Sequence, residues 1–128
     1  MKHMQIPKPT ESELEILQVL WLNGPSTVRF VNEQLSEKKE TGYTTTLKLM
    51  QIMHAKEMLT RDDSTRTHVF AAAISEDVTK QQLLDKFLDA TFSGSATKLV
   101  IQALGNSKTS KAELNQIREL LDQLEGGK

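Results

Sequence analysis

The chain has 128 residues, of which 38% are hydrophobic, 26% charged and only 5% aromatic, the balance of a soluble globular domain or of a small domain with an appendage. Cysteine is absent, which excludes disulfides, iron–sulfur clusters, thiolate metal sites and cysteine nucleophiles. A net charge of −1, from 16 basic and 17 acidic residues, leaves no global basic field of the kind many nucleic-acid binders carry. The longest unbroken apolar run, Val69 to Ile74, is far short of a membrane span. Met1-Lys2-His3-Met4-Gln5-Ile6-Pro7 contains no apolar stretch of a signal peptide, so the expected location is the cytoplasm.

Met1 to Pro9 reads as a loose tail. Thr10-Glu11-Ser12-Glu13 is a capping box that opens a first helix, with Leu14, Leu17 and Trp21 at helical spacing and Ile16 and Leu20 beside them. Asn23-Gly24-Pro25 ends it. Ser26 or Thr27 caps a second helix to about Lys38, burying Val28, Val31 and Leu35. A third helix runs from Tyr43 or Thr44 to Lys56, with Leu49, Met50 and Met53 inward and Thr44, Thr45, Lys48 and Gln51 on another face. The period then changes. Met58 to Asp62 and Arg66 to Ala73 read as two strands around the turn Asp63-Ser64-Thr65.

Ser75 caps a fourth helix to about Phe92, with Val78, Leu83 or Leu84, Phe87 and Leu88 on its apolar side. Ser93-Gly94-Ser95 breaks it. A short helix spans Ala96 to Leu104 and is ended by Gly105-Asn106. Ser110-Lys111-Ala112-Glu113 is a second capping box, followed by the stripe Leu114, Ile117, Leu121 and Leu124 with Leu120 alongside. Gly126-Gly127-Lys128 reads as a frayed end. The fold class is therefore mainly α with a small β-hairpin: a winged helix–turn–helix over residues 1–74, then a helical domain over residues 75–128.

The third helix carries the best chemical signal, because Thr41 to Lys56 contains no acidic residue whereas the first helix holds Glu11, Glu13 and Glu15. A helix entering the major groove must keep carboxylates from phosphates and present hydroxyls and bases to base edges. Thr44, Thr45 and Lys48 fit that need; a solvated threonine face is the plainer alternative. Arg61 and Arg66 flank the hairpin tip and either grip phosphates or form a charged cluster with Asp62 and Asp63. His54 and His68 lack a third ligand and make a poor metal pair. Ser64, His68 and Asp62 make no triad. No phosphate loop, HExxH run or paired-carboxylate motif occurs, so the expectations are no enzyme activity, no metal, no cofactor and no small-molecule substrate. The apolar stripes of the fourth and last helices, Phe87 and Leu88 with Leu114, Ile117, Leu121 and Leu124, close a three-helix bundle or pack on a second copy; the width of the stripes favours a homodimer.

The chain resembles the BlaI/MecI-type penicillinase-repressor family of bacterial winged-helix regulators from about Pro9 to Leu124. The residues that carry the resemblance are Thr10-Glu11-Ser12-Glu13-Leu14-Glu15-Ile16-Leu17 with Leu20-Trp21, then Tyr43-Thr44-Thr45-Thr46, then Phe92-Ser93-Gly94-Ser95. The resemblance implies a helical dimerisation domain and repression at dyad-symmetric operators in double-stranded DNA. Thr44, Thr45 and Lys48 would then face bases, and Tyr43, Arg61 and Arg66 the backbone. It also implies relief through a membrane-bound sensor metalloprotease system and a cut in the dimerisation domain. The family's Asn–Phe cleavage pair aligns with Gln102-Ala103, so that bond is not reproduced. The cysteine cluster of copper-sensing relatives is missing, and Glu57 stands where the family usually has glycine. The leading expectation is a dimeric repressor; the alternative is a winged-helix protein-interaction module that does not bind DNA.

Overall fold

Helix α1 (Glu11–Asn23) starts where two residues satisfy each other's backbone. The Thr10 hydroxyl accepts the Glu13 N–H at 3.2 Å, and the Glu13 carboxylate accepts the Thr10 N–H at 2.9 Å. The computed structural model describes residues 8–126. Pro9 is already buried, so the expected loose tail does not extend to it; the rest of that tail, residues 1–7, lies outside the described residues. Gly24 ends α1 at φ 80°, donating its N–H to the Leu20 carbonyl at 2.7 Å, a conformation natural to glycine.

The chain then makes β1 (Ser26–Thr27), α2 (Val28–Ser36), α3 (Tyr43–Ala55), β2 (Leu59–Asp62) and β3 (Val69–Ala72). The expected order of three helices, a hairpin and three more helices holds, with one addition. Thr27 caps α2 as expected, accepting the Phe30 N–H at 3.1 Å, but Ser26 and Thr27 also pair with Phe70 and Val69 as a third antiparallel strand. The sheet order is β1-β3-β2. The hairpin strands are shorter than their apolar runs suggested: β3 begins at Val69 rather than Arg66, and the tip is correspondingly longer.

One core holds these pieces together. Ile16, Leu17 and Leu20 of α1 meet Val31 of α2, Met50 and Met53 of α3, and Met58, Leu59 and Phe70 of the wing. Each such side chain contributes about 1.5–3 kcal/mol on burial. Trp21 is half-buried and donates its indole N–H to the Ile74 carbonyl at 3.1 Å. The turn between α2 and α3 is pinned by Asn32, whose amide donates to the Thr41 carbonyl at 2.8 Å and to the buried Thr46 hydroxyl at 2.9 Å.

The end of α3 is a Schellman motif. The Met58 N–H reaches the Met53 carbonyl at 2.9 Å and the Glu57 N–H reaches His54 at 3.0 Å. Its left-handed residue is Glu57, at φ 66°, which costs a residue with a Cβ about 1–2 kcal/mol. The motif therefore forms without the glycine that suits it.

Helices α4 (Glu76–Thr91), α5 (Ala96–Asn106) and α6 (Lys111–Gly126) follow. Two compact units divide between Leu83 and Leu84, inside α4. Gly105 and Asn106, expected to end the fifth helix, lie within α5, and Gly126 lies within α6 rather than in a frayed end; residues 127–128 are outside the described residues. Ser95 caps α5 through the Lys98 N–H at 3.1 Å, and the Ser110–Glu113 capping box opens α6 as expected. In the second unit Leu88 is the one buried side chain among the described residues. Leu114 and Ile117 are half-buried, whereas Phe87, Leu120, Leu121 and Leu124 are at least half exposed, so a single chain does not close a bundle over the stripe. No helix among the described residues is long and apolar enough to cross a membrane.

Two stability outcomes follow from the α1–α3 geometry. Glu57→Gly is expected to stabilise the chain by about 1 kcal/mol, the left-handed penalty less glycine's larger loss of freedom on folding. Urea unfolding checks it, as a higher midpoint with unchanged slope. The second concerns Glu13, whose other oxygen accepts from the Lys56 ammonium at 2.6 Å. Burial pushes the Glu13 carboxyl up, but the bonds from Lys56 and Thr10 outweigh it and hold the group below its ordinary value of 4.5. A lowered folded-state pKa stabilises the fold above the unfolded value, and this is lost as pH falls through the folded one. Lys56→Met should therefore cost about 1–3 kcal/mol at neutral pH, and the gap to the parent should shrink below pH 4.5. A gap independent of pH would show that the pair does not set it.

Candidate nucleic-acid interface

Helix α3 is divided by its own period. Thr46, Met50 and Met53 point into the core, and Thr44, Thr45, Lys48 and Gln51 lie on the opposite, exposed side. Tyr43 and Ile52 are exposed at 49% and 41%. The helix is capped at its start by Gly42, with no side-chain hydrogen bond, so the first-turn N–H groups face outward without a side-chain acceptor. The Lys48 side chain forms no ion pair or hydrogen bond among the described residues.

Beside this face lies a groove of about 520 Å³, walled by α3, by the start of α2 and by the wing. Tyr43, Leu47 and Gln51 line it from α3, Arg29 from α2, and Arg61, Arg66 and His68 from the wing; no carboxylate residue lines it. The structure thus sorts the expected site residues into two places. Tyr43, Arg61 and Arg66 come together in the groove, whereas Thr44, Thr45 and Lys48 stand on the open face next to it.

The two wing arginines differ. Arg61 lies within β2 opposite Phe70, not at the tip, with its side chain 30% exposed, and its Nε is 2.7 Å from Asp63. Arg66 is exposed at the tip and carries no such pair. The cluster weighed for both arginines therefore exists for Arg61 and Asp63 alone. Asp62 is occupied by the Ser64 N–H at 2.9 Å, and that backbone bond holds its carboxyl below the usual range. His54 packs edge-on against Phe70, with ring centroids 6.3 Å apart, and His68 lies 3.7 Å from Asp63.

Arg29 was not singled out by its sequence context. It occupies the first turn of α2, where the helix dipole disfavours a cation, and that mismatch is the local signal that could have marked it. The remaining expected residues fall in the second unit. Gln102 and Ala103 are exposed within α5. Their carbonyls accept from Asn106 at 3.2 Å and from the Ser107 hydroxyl.

Relatives match most of the chain. A penicillinase repressor from Bacillus licheniformis is 23% identical over 119 residues, covering 93% of each chain. The transcriptional regulator BlaI from two strains of Mycobacterium tuberculosis is 26% identical over 117 residues, covering 90% of this chain and 83% of the relative. The family model described as penicillinase repressor matches residues 9–123. With nearly the whole of both compact units inside that match, the chain belongs to the penicillinase repressor family.

Proposed function

We propose that the chain is a DNA-binding transcriptional repressor that acts as a homodimer in the bacterial cytoplasm, binds dyad-symmetric operators through α3 and the wing, and is released by proteolysis in its second unit. The observation that carries this reading is the acid-free exposed face of α3 beside a groove that holds three arginines and no carboxylate. With α3 in the major groove, the Thr44 and Thr45 hydroxyls and the Lys48 ammonium reach base edges, where lysine donates to guanine O6 and N7. Tyr43 and Arg66 would then meet phosphate oxygens, with Arg61 beside them in the groove, and would set register rather than sequence. The regulators named among the relatives support the same reading.

The exposed apolar side chains of the second unit, with the half-buried Leu114 and Ile117 beside the buried Leu88, supply a surface for a second copy. Two copies joined there raise affinity through effective concentration. Cutting between Gln102 and Ala103 would separate α6 from the rest of its unit and remove that gain. The bond lies inside a helix, so a protease that grips extended chain must first unwind α5, at a cost set by local rather than global stability. A membrane-bound sensor metalloprotease system is the proposed source of that cut.

The reading is tested with duplexes selected from a random pool. They should show two inverted half-sites about 34–36 Å or a multiple apart. Lys48→Ala and Thr45→Ala should each weaken binding to the selected duplex by roughly 1–3 kcal/mol. Unchanged affinity in both would take this face of α3 out of the interface, and no enrichment of any duplex would favour a protein-docking module.

Dimerisation and release are separable outcomes. Sedimentation equilibrium should give a dimer for the intact chain and a monomer for a Leu121→Asp/Leu124→Asp variant; an intact chain that is monomeric at micromolar concentration contradicts the model. Mass spectrometry of protein from induced cells should show fragments ending within α5, and an uncut chain under full derepression rules out proteolytic release.

A further inference from the structure

The groove beside α3 has two walls that belong to different elements. One is the first turn of α2, with Arg29; the other is the wing, with Arg61 and Arg66. Three guanidinium groups around one groove repel one another unless an anion enters. The protein supplies one itself: Asp63 sits 2.7 Å from the buried Arg61 Nε, an ion pair without hydrogen-bond geometry that offsets part of that charge. Neither Arg29 nor Arg66 has a carboxylate within salt-bridge distance among the described residues.

Arg29 also lacks a local structural reason. The first turns of α1, α4 and α6 carry Glu11 and Glu13, Glu76 and Asp77, and Glu113, as the positive end of the helix dipole favours. The first turns of α2, α3 and α5 carry no acid; Arg29 stands in that of α2, as Lys98 does in that of α5. Its side chain is exposed, so packing does not select it, and the dipole acts against it. An anion in the groove reverses the sign of both effects.

We infer that the groove seats the phosphodiester backbone of duplex DNA between Arg29 and Arg66, and that Arg61 is held out of this grip by Asp63. The assignment rests on the DNA-binding reading and adds to it a residue from α2. It also removes one of the two wing arginines from the set that contacts phosphate. Charge is what points to a backbone rather than a base edge: arginines from α2 and from the wing line one groove that no carboxylate residue lines, and guanidinium contacts to phosphate carry no sequence information.

The test is the salt dependence of binding to a mixed-sequence duplex, followed by fluorescence anisotropy with the full-length protein. Each phosphate contact contributes about 0.9 to the slope of log K against log salt. Arg29→Ala and Arg66→Ala should each lower the slope by about that amount, Arg29→Lys should keep it, and Arg61→Ala should lower it by clearly less. Asp63→Asn frees Arg61 and should tighten binding and steepen the slope. Thermal unfolding of Arg29→Ala should be unchanged or slightly raised, because a cation leaves a helix N-terminus, so a fall in slope reports on DNA and not on folding. An Arg29→Ala slope equal to the parent's, with Arg66→Ala still reduced, overturns the assignment while DNA binding stands. An Arg61→Ala loss as large as that of Arg66→Ala overturns the role of Asp63. A parent protein with no salt-dependent duplex binding overturns the assignment together with the reading beneath it.

Discussion

A buried carboxylate sets the frame on which the candidate interface is hung. Glu13 is almost completely enclosed and spends its two oxygens on different elements: one on the Thr10 N–H at the start of α1, the other on Lys56 at the end of α3. An enclosed charge without partners would cost several kcal/mol, so the fold must hold both donors in place. The residues joined this way are far apart in the chain, and the result is that the C-terminal end of α3 is fixed against α1. Immediately beyond Lys56 the Schellman turn at Glu57 redirects the chain into β2. This corner, together with the pairing of β1 to β3 and Leu59 and Phe70 in the core, therefore sets the position of the wing relative to α3.

The other end of α3 is fixed differently. Asn32 ties the turn to Thr46, a polar residue on the helix's inward side, and so aligns the rotation of α3 about its own axis. Rotation decides which residues are presented: with Thr46, Met50 and Met53 inward, Thr44, Thr45 and Lys48 have no choice but the open face. Packing and presentation are two consequences of the same constraint. An interface on a helix held at both ends is more precise than one on a loop.

The second unit follows the opposite rule. Its helices start cleanly, with Ser95 and the Ser110–Glu113 box in place, yet its described side chains are mostly exposed. Capping determines where helices begin, and it does so without a core. What the unit lacks is a surface to cover Leu120, Leu121 and Leu124.

Much of this organisation was legible in the sequence, because it is local. The two capping boxes, the Gly24 stop, the inward stripe of α3 and its lack of acids all follow from spacings of a few residues, and a helix enforces those spacings by its geometry. The places where the sequence fell short are those where distant residues meet. Strand β1 is only two residues long and exists because Phe70 and Val69 arrive beside it. The Glu13–Lys56 pair, the occupation of Arg61 by Asp63 and the arrival of Arg29 at the wing leave no periodic trace in the chain. The sequence by itself determined the inward stripes of α1 and α3 and the starts of the helices that capping boxes open. Only the tertiary structure decided which charges face one another, because that depends on how separate elements cross, and no spacing along the chain encodes the crossing.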